Sequence, residues 1–464
     1  MMVVKYLVLG LFVVAAAGVC FADDAPPTDA QIRAELQKCV EQQNRTPGIV
    51  VGVIDDKGTH VVAYGKRERG RPEPVDGDSI FEIGSITKVF TTTLFQQMIE
   101  RGEVKLDDPI GKYLPATVKT PSYKGSEITL VDLATQASAL PSMPTNFSPQ
   151  SFDDPWADYT IAQMYDFLSH CKLARKPGMK FEYSNLGMGL LAHILTLRAG
   201  TNYEALVIRR ICDPLGMTNT RITFSPEMKA RLARGHSTVG PPVKNWNFAA
   251  IEGAGALRSS VNDMLKFLAA NMGRGSSPLN ATLAAAHQPR HSAGWGMKIG
   301  LGWLTFSLFG VDYTWHNGGT GGYRTFLGFS KEGRGAIVMA NEANDVDDVG
   351  RYLLWPDVYS GVDKFKAPPQ HTVAPTDPNT FDRYTGQYQG NDDEVYTVWR
   401  DGAHLIAKES GTMEFPAELF PEAEGKFFFT SVDAQMVFET NAAGAVTGFV
   451  SRQDGKTTKA RKIK

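Results

Sequence analysis

Phe81-Glu82-Ile83-Gly84-Ser85-Ile86-Thr87-Lys88 joins a strand end to a helix start. The helix runs from about Ser85 to Arg101, because Val89, Phe90, Leu94, Phe95, Met98 and Ile99 recur at helical spacing. Gly102 ends it. Lys88 stands three residues after Ser85, across the first turn and on the same face. A serine hydroxyl is a poor nucleophile until a neighbouring base takes its proton, and a lysine in that position is such a base. At a helix N-terminus the Ser85 N–H is also placed to stabilise an oxyanion. Gly84 permits the tight turn.

A Ser-x-x-Lys spacing is weak on its own, expected about once or twice by chance in a chain of this composition. A second copy, Ser169-His170-Cys171-Lys172, lies near the end of a predicted helix and before Pro177-Gly178. It lacks the leading glycine and the helix start, and reads as a solvated helix end. Two further segments select the first copy. Tyr183-Ser184-Asn185 follows the Pro177-Gly178 turn and precedes an apolar helix. A tyrosine close to a cationic Lys88 is expected to have its phenol pKa lowered and to act as base, then as acid to the leaving group. Asn185 is expected to hold Lys88 and the substrate amide. The second segment, His316-Asn317-Gly318-Gly319-Thr320-Gly321-Gly322, follows the strand-like Val311 to Trp315. Its glycines let the backbone approach a ligand closely and offer N–H groups.

Taken together, Ser85-x-x-Lys88, Tyr183-x-Asn185 and His316-x-Gly318 resemble the three motifs of class C β-lactamases, DD-carboxypeptidases and related serine esterases. Leu106-Asp107-Asp108-Pro109, Pro214-Leu215-Gly216-Met217 and Gly253-Ala254-Gly255-Ala256-Leu257 are similar to that family as well. The resemblance covers about residues 30–360. It implies an acyl-enzyme mechanism with Ser85, Lys88 and Tyr183 catalytic, Asn185, His316 and Gly318 at the substrate, and the Gly319 N–H in the oxyanion hole. It implies no metal and no organic cofactor. Two departures bear on substrate. His316-Asn317-Gly318 stands where β-lactamases proper carry Lys-Thr-Gly, and a histidine only partly charged near neutral pH is a weaker carboxylate anchor. Gln136-Ala137-Ser138-Ala139-Leu140-Pro141 replaces a His-Thr-Ser-Gly-Leu-Pro stretch of many relatives. The first favours peptidase or esterase work over efficient β-lactam hydrolysis; the second changes the polarity of a stretch expected to border the site and leaves the substrate preference open. The substrate class stays open among D-Ala peptides, β-lactams and small esters. A binding protein that keeps the fold without catalysis is the alternative.

Outward from these motifs, Ile49 to Asp55 and His60 to Tyr64 read as a hairpin around Gly58. The chain then looks mainly helical from Thr129 to Met272, at 129–136, 160–169, 186–199, 203–212 and 260–272. Strands return at 302–306, 313–315, 325–329 and 336–339, before a helix near 343–359. Strands at both ends of a helical middle predict an α/β (α+β) domain in which the late strands join the hairpin in one antiparallel sheet flanked by helices. The stretch 366–378, with Pro368, Pro369, Pro375 and Pro378, reads as a linker. Residues 379–464 alternate in short apolar segments and predict a small β-barrel-like domain, which resembles the module appended to some family members. This leaves 23–365 as the hydrolase domain.

At the N-terminus, Lys5, the apolar run Tyr6 to Val19 and Ala22 read as a signal peptide spanning 1–22, cleaved after Ala22, which places the protein outside the cytoplasm, periplasmic or secreted. A lipoprotein cysteine at Cys20 is the lesser reading, because Val19 is bulky for that processing. No stable membrane span is expected after cleavage. The remaining Cys39, Cys171 and Cys212 form no disulfide framework; Cys171 and Cys212 pair or all three stay free, the latter favoured. A formal net charge of −2 without a basic run gives no electrostatic case for nucleic acid. No Gly-x-Ser-x-Gly and no His-Glu-x-x-His occurs, which disfavours an ordinary α/β-hydrolase and a zinc hydrolase. The expected partner is a small-molecule or peptide substrate.

Overall fold

The structure, a computed structural model, describes residues 25–238, 242–308, 311–359, 371–390, 394–409, 417–429, 434–453 and 456–464. The segment read as a signal peptide, Cys20 included, and residues 366–370 of the proline-rich stretch lie outside the described residues. The described residues fall into two compact units, chiefly 25–236 with 242–359, and 371–464.

The first unit opens with helix α1 (Asp29–Gln37), started by a Thr28–Gln31 capping box. The predicted hairpin follows as β1 (Gly48–Asp55) and β2 (Gly58–Gly65). Strand β1 is buried along its whole length, as its run of Ile, Val and Gly requires of a central strand. The late strands are β3 (His291–Gly294), β4 (Met297–Ile299), β5 (Leu304–Leu308), β6 (Val311–Gly319), β7 (Arg324–Ser330) and β8 (Gly335–Ala340). They join the hairpin in one antiparallel sheet of order β2-β1-β8-β7-β6-β5-β4-β3. The fold is thus the expected antiparallel sheet with helices. Strands β3 and β4 escaped the sequence reading, since Gly294, Trp295 and Gly296 interrupt any alternation there.

Helices cover both faces. Ile32 and Leu36 of α1 share a core with Val51, Trp315, Phe326, Val338 and Leu353. On the other face Leu265 presses against Gly52, where a Cβ would stand only 2.7 Å from its Cγ. Between the layers of helix runs α2 (Thr87–Glu100), buried on every side from Thr87 to Met98. Two of its buried threonines are satisfied by backbone carbonyls: Thr91 Oγ1 donates to Gly253 O (2.8 Å) and Thr92 Oγ1 to Leu301 O (2.8 Å). The other helices that concern the site are α3 (Ile161–His170), α4 (Asn185–Ala199), α5 (Val261–Asn271) and α6 (Asp347–Leu354). Helix α6 is shorter than the 343–359 expected, because Asn344 and Asp345 spend their side chains on turn hydrogen bonds to Glu342 and to the Asp347 N–H.

In the second unit eight strands close into a barrel in chain order: β9 (Gly386–Gln389), β10 (Val395–Asp401), β11 (His404–Glu409), β12 (Ala417–Ala423), β13 (Lys426–Phe428), β14 (Ala434–Thr440), β15 (Val446–Gln453) and β16 (Lys456–Lys462). Tyr388 pairs with Lys462 at the closure. Aromatic residues fill the interior, among them Tyr384, Tyr388, Phe427, Phe438 and Phe449. Within the proline-rich stretch, Ala374 N donates to Pro421 O on the barrel wall. Cys39, Cys171 and Cys212 are free, so the Cys171–Cys212 pairing is not formed. Among the described residues no helix is long and apolar enough to cross a membrane.

Candidate active site

Ser85 occupies a single 3-10 turn, Gly84–Ile86, that runs directly into α2. The turn is pressed against the end of β6. Gly84 has φ +50°, and a Cβ there would stand 2.6 Å from Gly319 N. A Cβ on Gly318 would collide with the Ile83 carbonyl oxygen, which accepts from Thr325 Oγ1 at 3.0 Å. Three glycines therefore make one joint between the serine turn and the sheet. Behind it, Glu82 and Arg258 form a buried ion pair at 3.3 Å, and Glu82 Oε1 also accepts from Trp246 N (2.9 Å).

Lys88 is fully buried, and its Nζ lies 2.9 Å from Ser85 Oγ, 2.8 Å from Asn185 Oδ1 and 2.7 Å from Ala254 O. Burial holds its pKa well below the usual lysine value, and no carboxylate offsets the effect. The Tyr183 hydroxyl donates to Ser85 Oγ at 2.7 Å, and its ring centroid lies 4.7 Å from Lys88 Nζ. Here the expectation of a lowered phenol pKa is corrected. Part of the ring reaches solvent, but the hydroxyl end is desolvated, which raises its pKa, and the hydrogen bond to Ser85 offsets only part of this. A lysine disfavoured as a cation cannot draw the phenol down.

Asn185 opens α4, with Ser184 as its N-cap accepting from Gly187 N at 2.9 Å. The Gln136–Pro141 stretch braces this loop. Gln136 Oε1 accepts from Ser184 N (2.7 Å), Gln136 O accepts from Glu182 N (2.7 Å), and Ser184 Oγ donates to Pro141 O (2.6 Å). Two of its residues are held at positive φ without being glycine, Gln136 at +57° and Ala139 at +62°.

His316 is buried on β6, its Nδ1 2.6 Å from Asn317 O, and its ring centroid is 6.5 Å from that of Tyr183. Burial lowers its pKa to about 4. The partly charged imidazole expected from the sequence is thus uncharged at neutral pH. Asn317 turns away and donates to Asp347 Oδ2 at 2.9 Å.

All seven residues singled out from the sequence, Ser85, Lys88, Tyr183, Asn185, His316, Gly318 and Gly319, gather around this joint. The sequence reading missed the Ala254 carbonyl. Its signal was Gly253: a Cβ there would meet Thr91 Oγ1 at 2.7 Å and collide with the Ala192 Cβ, so only glycine lets the segment pass between α2 and α4 to reach Lys88. A cavity of about 500 Å³ lined by Gln97, Arg101, Arg209 and Arg210 lies at the opposite end of α2 and contains none of these groups. Among the described residues no cluster of side chains with metal-ligand character is present.

A serine whose hydroxyl contacts a buried amine and a phenol, on a sheet-and-helix frame of this topology, is an arrangement that fits the class of serine hydrolases. Comparison with known proteins narrows it. The Beta-lactamase family model matches residues 32–357, and a Domain of unknown function (DUF3471) model matches 370–461. The chain belongs to the Beta-lactamase family, a family of serine hydrolase type. It is 35% identical over 221 residues to the D-alanyl-D-alanine-carboxypeptidase/endopeptidase AmpH of Escherichia coli (strain K12), a match that spans 48% of this chain and 56% of that protein. It is 30% identical over 277 residues to a Beta-lactamase of Pseudomonas fluorescens, covering 59% of this chain and 74% of the relative. The octameric penicillin-binding protein homologue from Pyrococcus abyssi shares the fold, with a TM-score of 0.64 at 22% identity over 93% of this chain and 99% of that one.

Proposed function

We propose that the chain is a serine hydrolase that works through an acyl-enzyme, with D-Ala-type peptide amides and small esters as better substrates than β-lactams. The observation that carries this is the pair of contacts on one oxygen: Ser85 Oγ lies 2.9 Å from Lys88 Nζ and 2.7 Å from the Tyr183 hydroxyl. A neutral lysine has two N–H groups and one lone pair. The carbonyl oxygens of Asn185 and Ala254, at 2.8 and 2.7 Å, take the two N–H groups, which leaves the lone pair for the Ser85 O–H. Lys88 is then the general base of acylation.

Ser85 Oγ attacks the substrate carbonyl and passes its proton to Lys88. By family resemblance, the N–H groups of Ser85 and Gly319 receive the oxyanion. Tyr183, whose raised pKa keeps it protonated, gives its proton to the leaving group as the tetrahedral adduct collapses. The proton held by Lys88 makes good that loss. Water then releases the acyl group by the reverse path. Asn185 and His316 orient the substrate and Tyr183. The N-terminal pattern of residues 1–22 supports export of the chain.

The test is covalent labelling with a fluorophosphonate, joined to turnover of a D-Ala-D-Ala peptide, a p-nitrophenyl ester and a chromogenic cephalosporin. Labelling is expected to vanish in Ser85→Ala and to persist in Ser169→Ala, with the cephalosporin the slowest substrate. Undiminished labelling of Ser85→Ala overturns the assignment.

A further inference from the structure

Arg324 is the first residue of β7 and the cross-strand partner of Gly319. Its guanidinium lies along the Gly319 backbone, in the space a side chain at position 319 would fill: a Cβ there would collide with Nη1 and come within 2.9 Å of Cζ. Gly319 thus touches both the turn that carries Ser85, through Gly84, and this guanidinium.

The guanidinium is poorly used by the protein. Nη1 makes two long contacts, 3.4 Å to Thr320 O and 3.4 Å to Tyr323 O. These exceed the ~2.7–3.2 Å of good N–H···O bonds, and a guanidinium has five donors to place. Among the described residues no carboxylate pairs with it within 4.0 Å. Asp345 and Asp347 act on it from further away, and both are engaged elsewhere. Asp347 Oδ2 accepts from Asn317 (2.9 Å) and from Arg351 (3.2 Å), and Asp345 Oδ1 accepts from Asp347 N (2.9 Å). Arg324 is only partly buried, so its unused N–H groups are open to a ligand. The other basic groups at the site are spent. Lys88 has its three partners, and His316 is buried beside the Asn317 carbonyl.

Resting on the acyl-enzyme reading above, we propose that Arg324 binds a substrate carboxylate carried on the carbon next to the scissile nitrogen. The chemistry of the substrate sets this distance. With the scissile carbonyl at Ser85 Oγ and its oxygen at the Gly319 N–H, such a carboxylate is two bonds beyond the nitrogen, within a side chain's reach of Gly319. A planar guanidinium grips a carboxylate through two parallel N–H···O bonds. A peptide with a free C-terminus and a β-lactam both carry the group there; a simple ester does not. The chain therefore recognises by an arginine of β7 the charge that a lysine at position 316 would otherwise read.

The test compares kcat/KM for an acyl-D-Ala-D-Ala peptide with kcat/KM for the same peptide ending in a carboxamide. The parent enzyme is expected to prefer the free acid. In Arg324→Gln the acid-to-amide ratio is expected to fall about tenfold to a hundredfold, the range of a lost charge-assisted pair. Arg324→Lys, which keeps charge and loses the planar fork, is expected to fall between. A parent without preference, or an unchanged ratio in Arg324→Gln, overturns the proposal. Fluorophosphonate labelling reads Ser85 without a carboxylate and keeps the two claims apart: labelled enzyme with no acid preference sinks only the Arg324 assignment, whereas unlabelled parent enzyme sinks the hydrolase reading. If Arg324→Gln is not labelled, the ratio in Arg324→Lys decides.

Discussion

Ser85 and Ser169 each stand three residues before a lysine, one at the start of a helix and the other near the end of one. In the first pair the 3-10 turn continues into α2, so both side chains stay on one face and meet at 2.9 Å. In the second, helix α3 stops at His170 and Cys171 is already extended (φ −66°, ψ 134°), which carries Lys172 out into solvent. Ser169 Oγ turns inward on its own helix and donates to Tyr165 O at 2.8 Å. The first lysine is buried and disfavoured as a cation; the second is exposed. Spacing brings a lysine near a serine. What disfavours the cation, and so suits the amine to the proposed role of base, is the desolvation supplied by α2, α4 and the 253–254 segment.

The largest expected difference follows from this. Lys88→Met is expected to lower kcat/KM on a neutral ester by at least about 100-fold, the size of a lost general base. Lys172→Met is expected to stay within twofold. The pH profile carries the same contrast. In the proposed mechanism the active form of Lys88 is the neutral amine, so activity is expected to rise with pH through its pKa. Burial places that midpoint well below the ~10.4 of an ordinary lysine. The raised Tyr183 pKa keeps the phenol protonated, so no alkaline fall is expected below about pH 10. A midpoint at the ordinary lysine value would erase the distinction between the two pairs.

A smaller break is expected at the joint that only the first pair possesses. Gly84→Ala puts a Cβ at φ +50° and 2.6 Å from Gly319 N. The turn must shift, and Ser85 with it. A tenfold to hundredfold loss of labelling rate is expected, in keeping with a displacement of about 1 Å at the reacting group. Thermal melting is expected to show a loss of about 1–3 kcal/mol from the strained backbone. A labelling rate equal to that of the parent would mean that the serine turn does not depend on contact with β6.

Much of this was legible from residue pattern. The sheet could be read because β1, β2, β7 and β8 are made of β-branched and apolar runs bounded by glycine. Helix α2 could be read from its apolar period, and the site from three separated motifs. What pattern did not carry is the state of the groups. The expectation was that a cationic Lys88 lowers the Tyr183 pKa; burial, a property of the assembled helices, reverses that sign. Nor does pattern reveal Arg324. It is three-dimensional register, Gly319 opposite Arg324, that lays the guanidinium along the backbone at the site. Ala254 acts through its carbonyl, which side-chain identity cannot announce.

The finest contrast lies in what supports each pair. The loop bearing Tyr183 and Asn185 leans on residues 136–141, where Ala139 is held at φ +62°. An alanine in that region costs about 1–2 kcal/mol, and glycine escapes most of it. Glycine also enlarges the unfolded ensemble, which offsets about 0.4–1 kcal/mol. Ala139→Gly is therefore expected to raise stability by about 0.5–1 kcal/mol, seen as a melting temperature higher by about 1–2 °C. Helix α3, which ends in the second pair, responds with the opposite sign. Ala162 is an exposed residue of that helix, and Ala162→Gly is expected to cost up to about 1 kcal/mol of helix propensity. One substitution, alanine to glycine, thus moves stability in two directions according to backbone conformation alone. A loss of stability in Ala139→Gly would show that the alanine methyl, and not relief at positive φ, governs the brace beneath Tyr183.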